Sequence, residues 1–340
     1  MTILIITRTS DNQCIPTVTR AVEERGGRVF RLDTDRFPTD VRLGVRQGAG
    51  LAGRFLECDG VRLDLDEVTG VWHRRLHVGG GLPDDLDAQI KSASVGESRR
   101  ALLNAVTCID AFVMDPLVHI RRAENKELQL RLAERLGIDT PRTLVTNDPT
   151  AVRAFADECG GDVITKMQSS FAIHEDGREK VVFTNPLSRA DLDELEGLDL
   201  CPMVFQERLE KRLELRVTVV GERVFAASID SAAREDARHD WRRRGLEMLG
   251  DWKTFELPAD LERRVLALQD VLGLNYGAAD FILTPEGRFV FLEVNPVGEF
   301  FWLERVPGFP LSEAIADVLL GRAPRREQRE LLAGAELSPA

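Results

Sequence analysis

The sequence predicts an α/β protein, with α+β character towards its C-terminal end, built from more than one packed unit. Three observations carry this. The chain opens on an apolar strand, Met1-Thr2-Ile3-Leu4-Ile5-Ile6-Thr7, followed by a helical stretch and a second strand. Strand and helix patterns then recur as far as Met167. The far end carries a hairpin, Asp280–Asn295, with arms rich in Phe, Ile, Leu and Val.

In the first unit, expected over 1–115, strand 2–7 leads to a helix at Ile15–Arg25, closed by Gly26-Gly27, and to strand Arg28–Leu32. Apolar residues alternate through Val61–Leu65, Gly70-Val71-Trp72-His73 begins another strand, and a helix at about Leu86–Cys108 closes the unit. Met114-Asp115-Pro116 marks a boundary, because the residue before proline disfavours helix. The second unit, 116–203, starts with a helix at Arg121–Leu136, stopped by Gly137 and Pro141. Strand Thr143–Val145, helix Ala151–Cys159 and strands Val163–Met167 and Val181–Thr184 follow. The third unit, 204–325, holds strands Val204–Glu207, Glu214–Val220 and Arg223–Ser228, a basic loop at 231–252, helix Leu261–Leu272 and the hairpin. Residues 326–340 form a charged tail expected to fray.

Against 45 Lys+Arg stand 57 Asp+Glu, a net charge of −12 that argues against a general nucleic-acid binder. Cys14, Cys58, Cys108, Cys159 and Cys201 are scattered and never form a CxxC pair, which points to reduced thiols rather than a disulfide frame or zinc site. The first strand lacks a basic flank, and no apolar run approaches the ~20 residues that span a bilayer. A soluble cytoplasmic protein is expected, with neither nucleic acid nor membrane as a partner.

The sharpest chemical feature is the hairpin. Pro285-Glu286-Gly287-Arg288 reads as its turn. If Thr284 pairs with Phe289, stepping outwards sets Asp280 opposite Glu293, and the period of two places Asn295 on the same face as Glu293. Two carboxylates and an amide oxygen then converge, all hard ligands of the kind Mg²⁺ takes beside nucleotide phosphates. The apolar flanks predict a buried hairpin, where an unpaired acid would be costly.

Two lysines form a second group. Lys126 lies in the first turn of its helix, against the dipole, and Lys166 ends the apolar strand Val163-Ile164-Thr165-Lys166. A third group is Val204-Phe205-Gln206-Glu207-Arg208-Leu209, whose strand end would offer edge backbone groups to an adenine. Glu214 would accept from ribose hydroxyls, and Arg216, on the same strand face, suits a phosphate. Alone, Lys126 is more often a solvated surface residue, whereas Lys166 is more suggestive because it continues a strand that should face the core; each charge of the third group also reads as a half-exposed strand residue.

The order Lys126, Lys166, Gln206-Glu207, Glu214/Arg216, Asp280, Glu293-x-Asn295 resembles that of the ATP-grasp superfamily over about 116–320, with a pre-ATP-grasp α/β domain before it. Lys166-Met167-Gln168-Ser169-Ser170-Phe171-Ala172-Ile173, Val181-Val182-Phe183-Thr184-Asn185 and Glu293-Val294-Asn295-Pro296-Val297-Gly298-Glu299-Phe300 narrow it. They resemble the microviridin-type peptide macrocyclases, the graspetide synthetases, and Trp72-His73-Arg74-Arg75 resembles a segment of their N-terminal domain. The resemblance implies that Lys126 and Lys166 contact ATP phosphates, that Gln206, Glu207 and Leu209 border the adenine, and that Glu214 meets the ribose. It further implies that Asp280, Glu293 and Asn295 hold Mg²⁺, as two ions, and that Arg216 bridges the transferred phosphate and the acyl intermediate, with Lys166 and Asn295 beside it. The implied partner is a precursor peptide with a leader and an acidic Thr/Glu/Asp-rich core, and the implied assembly a homodimer. One departure is the phosphate loop Gln168-Ser169-Ser170-Phe171, which is not a run of glycines.

Arg234-Glu235-Asp236-Ala237-Arg238-His239-Asp240-Trp241-Arg242-Arg243-Arg244 concentrates arginine in an acidic chain. It reads either as a solvated loop or as a cationic clamp for an acidic peptide. Arg234, His239, Asp240 and Arg242 are the candidates there, with Trp72 and Arg74 as a further peptide surface. Two other functions compete: an ATP-grasp ligase adding an amino acid to a peptide or small molecule, and a nucleotide-binding regulator that has lost catalysis.

Overall fold

Four apolar residues in succession, Ile3 to Ile6, put hydrophobic side chains on both faces of the first strand, which suits an interior strand covered on both sides. The computed structural model describes residues 1–48, 52–168, 172–175, 178–181, 184–231 and 248–326, and counts and absences refer to these. Its first stretch runs β1 (Thr2–Thr7), α1 (Ile15–Glu24), β2 (Arg28–Asp33), β3 (Val41–Arg46), β4 (Gly53–Cys58), β5 (Val61–Asp64), β6 (Val68–His73), α2 (Ala88–Thr107) and β7 (Phe112–Met114). A parallel sheet in the order β2-β1-β6-β7 holds β1 between two partners, and β3-β4-β5 form a separate antiparallel sheet. Neither β3 nor β4 is among the expected strands, although Val41, Leu43 and Val45 alternate with Arg42, Gly44 and Arg46; in β4 the adjacent Phe55 and Leu56 break the alternation.

The next stretch is α3 (Leu117–Ala123), α4 (Lys126–Arg135), β8 (Thr143–Thr146), α5 (Pro149–Glu158), β9 (Val163–Lys166), β10 (Ala172–Glu175), β11 (Arg178–Val181), β12 (Asn185–Pro186), α6 (Arg189–Asp193) and β13 (Met203–Glu207). The single helix expected at 121–136 is two. Asn125 interrupts it, its side chain accepting from Leu128 N at 3.0 Å, so Lys126 becomes the first residue of a new helix. Of the strand expected at 181–184, residues 182–183 lie outside the described chain; β11 ends at Val181 and β12 begins at Asn185. Strand order is β12-β9-β13-β8, with β10-β11 a separate pair.

The last stretch is β14 (Leu213–Val220), β15 (Arg223–Ile229), β16 (Lys253–Thr254), α7 (Ala259–Leu272), β17 (Tyr276–Leu283), β18 (Phe289–Asn295), α8 (Phe301–Arg305) and α9 (Leu311–Leu319). Its antiparallel sheet has the order β16-β15-β14-β17-β18. One face packs α7: Val265, Leu268 and Leu272 meet Leu215, Val217, Val219, Phe281 and Phe291. On the other side α9 returns to the N-terminal sheet, where Leu311, Ile315 and Leu319 share a core with Ile3, Ile5, Val18 and Trp72. Gly70 permits the approach, since a Cβ there would sit 3.1 Å from Leu319 O. No helix among the described residues is long and apolar enough to cross a membrane.

His73, at the end of β6, is 8% exposed, and burial pushes its imidazole down to about 4. An unfolded chain with the ordinary value of 6.5 takes up a proton between those limits that the folded chain refuses. Stability is therefore lost as pH falls from about 6.5 towards 4 and is unaffected above. In urea titrations at pH 7 and 5, wild type should lose more stability than His73→Gln; equal losses would contradict this account of the histidine.

Candidate functional site

The hairpin reaches the expected pairing by an unexpected route. Next to the turn the strands sit one residue away from the predicted register: Leu283 pairs with Phe289, and Phe281 with Phe291. A β-bulge follows, with Leu292 as the extra residue, and Asp280 then faces Glu293 and Ala278 faces Asn295. The bulge allows Phe291 to join the core under α7 while Glu293, two residues on, turns to the opposite face beside Asp280.

That face continues onto β14, where Arg216 is paired with Asp280. Glu293, Asp280 and Arg216 thus form one row across three neighbouring strands. Arg216 Nη1 lies 3.1 Å from Asp280 Oδ1 and donates to Ala278 O at 3.4 Å, with its guanidinium 5.5 Å from the centre of the Trp302 ring. Lys126 reaches the other end of the row, its Nζ 2.6 Å from Glu293 Oε2. A residue the sequence reading missed holds that helix in place. Gln129, 1% exposed, donates from Nε2 to Val294 O and accepts at Oε1 from Val294 N, both at 2.8 Å. Its amide completes the ladder at the outer edge of β18 as another strand would. The signal available was a glutamine on the apolar side of α4, between Leu128 and Leu132.

Asp280 and Glu293 are 29% and 22% exposed and Arg216 10%, so the row is shielded yet open to a ligand from one side. Asn295 is exposed, and its Oδ1 accepts from Val297 N at 3.1 Å. Two carboxylates and one amide oxygen suit a hard divalent ion, and they leave coordination positions for phosphate and water oxygens. No group of three His, Cys, Asp or Glu side chains placed to hold a metal ion gathers among the described residues. Lys126 occupies one of the oxygens such an ion would take.

The nucleotide candidates lie on the adjoining strands. Lys166 ends β9, half-buried and paired with Val204. Gln206 is 2% exposed and donates from Nε2 to Thr143 Oγ1 at 2.8 Å, so its side chain is spent within the sheet. The expectation that this strand presents an edge is corrected: β13 lies between β9 and β8, and its ladder continues through Arg208 N, which donates to Asp162 O. Half-buried Leu209 is the next residue beyond that point. Glu207 Oε1 accepts from Arg142 N at 3.0 Å. Glu214, on the same face as Arg216, accepts from Lys211 Nζ at 3.0 Å and Ser231 Oγ at 2.5 Å; neither partner was foreseen.

Trp72 and Arg74 are not the peptide surface that was expected. Trp72 is 1% exposed and packs in the core shared with α9, and the Arg74 side chain is fully enclosed. Arg234, His239, Asp240 and Arg242 lie outside the described residues, as do Ser169, Ser170 and Phe171 of the phosphate loop. A cleft of about 390 Å³ opens at the carboxyl ends of β1, β2 and β6, lined by Arg8, Asp35, Arg36 and His77 among others. No residue of the row lines it, and its acids are engaged: Asp35 accepts from Thr9 N at 2.9 Å, and Arg36 lies 3.6 Å from Asp40.

Known proteins match this chain over most of its length. Residues 2–121 match the model of the MvdD pre-ATP grasp domain. The macrocyclase MdnC of Microcystis aeruginosa, solved with its precursor peptide MdnA, is 44% identical, with a TM-score of 0.86 over 94% of this chain and 100% of that one. A RiPP-associated ATP-grasp ligase of Chryseobacterium gregarium, solved with ADP and a leader and core peptide, is 41% identical, with a TM-score of 0.92 over 96% of this chain and 98% of the other. A probable alpha-L-glutamate ligase of Citrobacter koseri is 26% identical over 215 residues, 62% of this chain and 68% of that protein. Identity above two in five, sustained from end to end of solved relatives, shows that the chain belongs to the ATP-grasp ligases that macrocyclise ribosomally made peptides.

Proposed function

We propose that the chain is an ATP- and Mg²⁺-dependent macrocyclase that phosphorylates an Asp or Glu side chain of a precursor peptide and closes a ring on it. The observation that carries this reading is the row Glu293–Asp280–Arg216 with Lys126 at its end, two carboxylates and two cations on one sheet face. The full-length relatives solved with precursor peptides supply the substrate class. The partner is a peptide with a leader and an acidic core rich in Thr, Glu and Asp, and the assembly a homodimer.

In this reading Lys126 and Lys166 neutralise ATP phosphates, the chain at Glu207 and Leu209 borders the adenine with Gln206 behind it, and Glu214 accepts from the ribose. Asp280, Glu293 and Asn295 would hold Mg²⁺, as two ions, which when bound would supply charge neutralisation for the phosphoryl transfer. Arg216, fixed by Asp280 and the Ala278 carbonyl, holds its fork where charge builds up on the transferred phosphoryl group. A peptide carboxylate oxygen attacks the γ-phosphorus, ADP departs, and an acyl phosphate results. A Thr or Ser hydroxyl then attacks the acyl carbon and phosphate leaves, giving an ester; a Lys amine gives an amide. Arg234, His239, Asp240 and Arg242 are assigned to the peptide side of the site.

The glutamate-ligase relatives favour a second reading, in which a free amino acid is the acceptor. One experiment separates the two. The enzyme is incubated with Mg·ATP and an acidic, Thr- and Glu-rich precursor peptide encoded beside it, and intact mass is recorded. The macrocyclase predicts losses of about 18 Da per ring, one water each, dependent on ATP and absent in Glu293→Ala. A gain of one amino-acid residue instead would establish the second reading.

Lys126 generates a sharper test, because the ion and the lysine compete for one oxygen of Glu293. Lys126→Ala should tighten Mn²⁺ binding in the absence of nucleotide. It should weaken ADP binding in the presence of metal about tenfold, the scale of one charge-assisted hydrogen bond. If calorimetry shows both affinities falling together, Lys126 supports the helix rather than exchanging partners.

A further inference from the structure

Arg74 and Arg75 follow β6 in the N-terminal sheet, far in sequence from the hairpin, yet both end on the loop that leaves it. Arg74 Nη1 donates to Val297 O at 2.9 Å and Gly298 O at 3.0 Å, and its Nη2 to Glu299 Oε1 at 2.9 Å. Arg75 Nη1 donates to Val297 O at 3.0 Å, and its Nη2 meets the same Glu299 oxygen. Tyr276 Oη donates to Gly298 O at 2.8 Å. Two successive carbonyls are thus held by three side chains, two of them cationic.

The loop packs closely against the hairpin at Gly298. A Cβ on Gly298 would come within 2.8 Å of Ala278 Cβ, and Ala278 is the residue that faces Asn295 across the hairpin. The charges close on themselves as well. Asp11 Oδ2 lies 3.6 Å from Arg74 Nε, and Cys14 Sγ donates to Glu299 Oε2 at 3.1 Å, burial pushing this thiol up to about 12 so that it stays a neutral donor. An enclosed guanidinium persists only where its partners are fixed, so the geometry is held from both sides.

We infer that Arg74, Arg75 and Glu299 are positioning residues that orient Asn295 and so set the affinity of the hairpin for a divalent ion. The chain of contact is short. Asn295 Oδ1 takes its bond from Val297 N, and Val297 O takes both arginines, so the residue whose N–H aims the Asn295 amide is the one whose carbonyl Arg74 and Arg75 grip. The inference rests on the reading of Asp280, Glu293 and Asn295 as metal ligands, and it gives the N-terminal unit a part in metal binding without touching the metal.

The test is a titration of Mn²⁺ into the full-length, ADP-bound protein, followed by electron paramagnetic resonance. Arg75 is the residue to change, because it is a quarter exposed whereas Arg74 is enclosed. Arg75→Met should weaken Mn²⁺ binding about tenfold, the low end of what loss of outer-shell support costs, because Arg75 acts through Val297 rather than on Asn295 itself, with metal-free ADP affinity within about twofold and Arg75→Lys restoring most of the loss. Unchanged Mn²⁺ affinity in Arg75→Met would overturn the inference. Should that variant not fold, Glu299→Gln keeps the shape and removes the negative charge that both arginines share, and the same two outcomes decide. Glu293→Gln serves as the control: if it binds Mn²⁺ like wild type, the metal site itself has been misread, whereas lost binding there beside an unaffected Arg75→Met removes the positioning role alone.

Discussion

One extra residue in a strand, Leu292, decides what the last hairpin can do. Without the bulge, the register beside the turn would continue and set Leu292 opposite Asp280, leaving Glu293 on the face that α7 covers. The bulge reverses the parity in mid-strand. Towards the turn, Phe281 and Phe291 pack edge to face with centroids 5.4 Å apart and build the core. Beyond it, Asp280 and Glu293 stand side by side. The same strand can therefore be both a core strand and a ligand strand, and the two roles meet at one peptide.

Placing two carboxylates opposite each other on adjacent strands, roughly 5 Å apart at Cβ, creates repulsion in a shielded place. The fold answers it from outside the hairpin. Arg216 comes from the neighbouring strand and Lys126 from a helix that Gln129 pins to the edge of β18. Further ties bring in the N-terminal half: Arg74 and Arg75 on the following loop, and Asp115, whose carboxylate accepts from Asn275 N and Tyr276 N at the entry to β17. The charged row is thus the point on which separate parts of the chain converge. α9 lies between the two sheets, sharing one core with Ile3 and Trp72 on the N-terminal side and Val220 and Ala227 on the C-terminal side.

Much of the site was legible in the sequence because its chemistry is written in strand parity and residue type. The pairing of Asp280 with Glu293 was reached from the wrong starting register, since the bulge adds back the residue by which the turn differed. No pattern of apolar residues announces a bulge. The first-turn position of Lys126 was read from the sequence, but not the capping by Asn125 that creates it. Where reading failed, burial of polar groups was the cause. Trp72 and Arg74 looked like a recognition surface from a resemblance in motif, which carries no sign of their burial, and Gln206 looked available because a strand edge was assumed where the sheet in fact continues. Gln129 went unseen for the same reason. Its partner is a backbone 165 residues away, a distance that no local signal spans.

The central claim is that this row transfers a phosphoryl group to a side-chain carboxylate before any bond between residues forms. The most direct measurement uses a precursor peptide whose Glu and Asp carboxylates carry heavy oxygen, followed through one round of ring closure. An acyl phosphate requires that the released inorganic phosphate carry one oxygen from the peptide, one labelled phosphate for each ring. Rings closed with unlabelled phosphate, or with the label appearing in AMP, would contradict the mechanism and the role given to Arg216 and the paired acids.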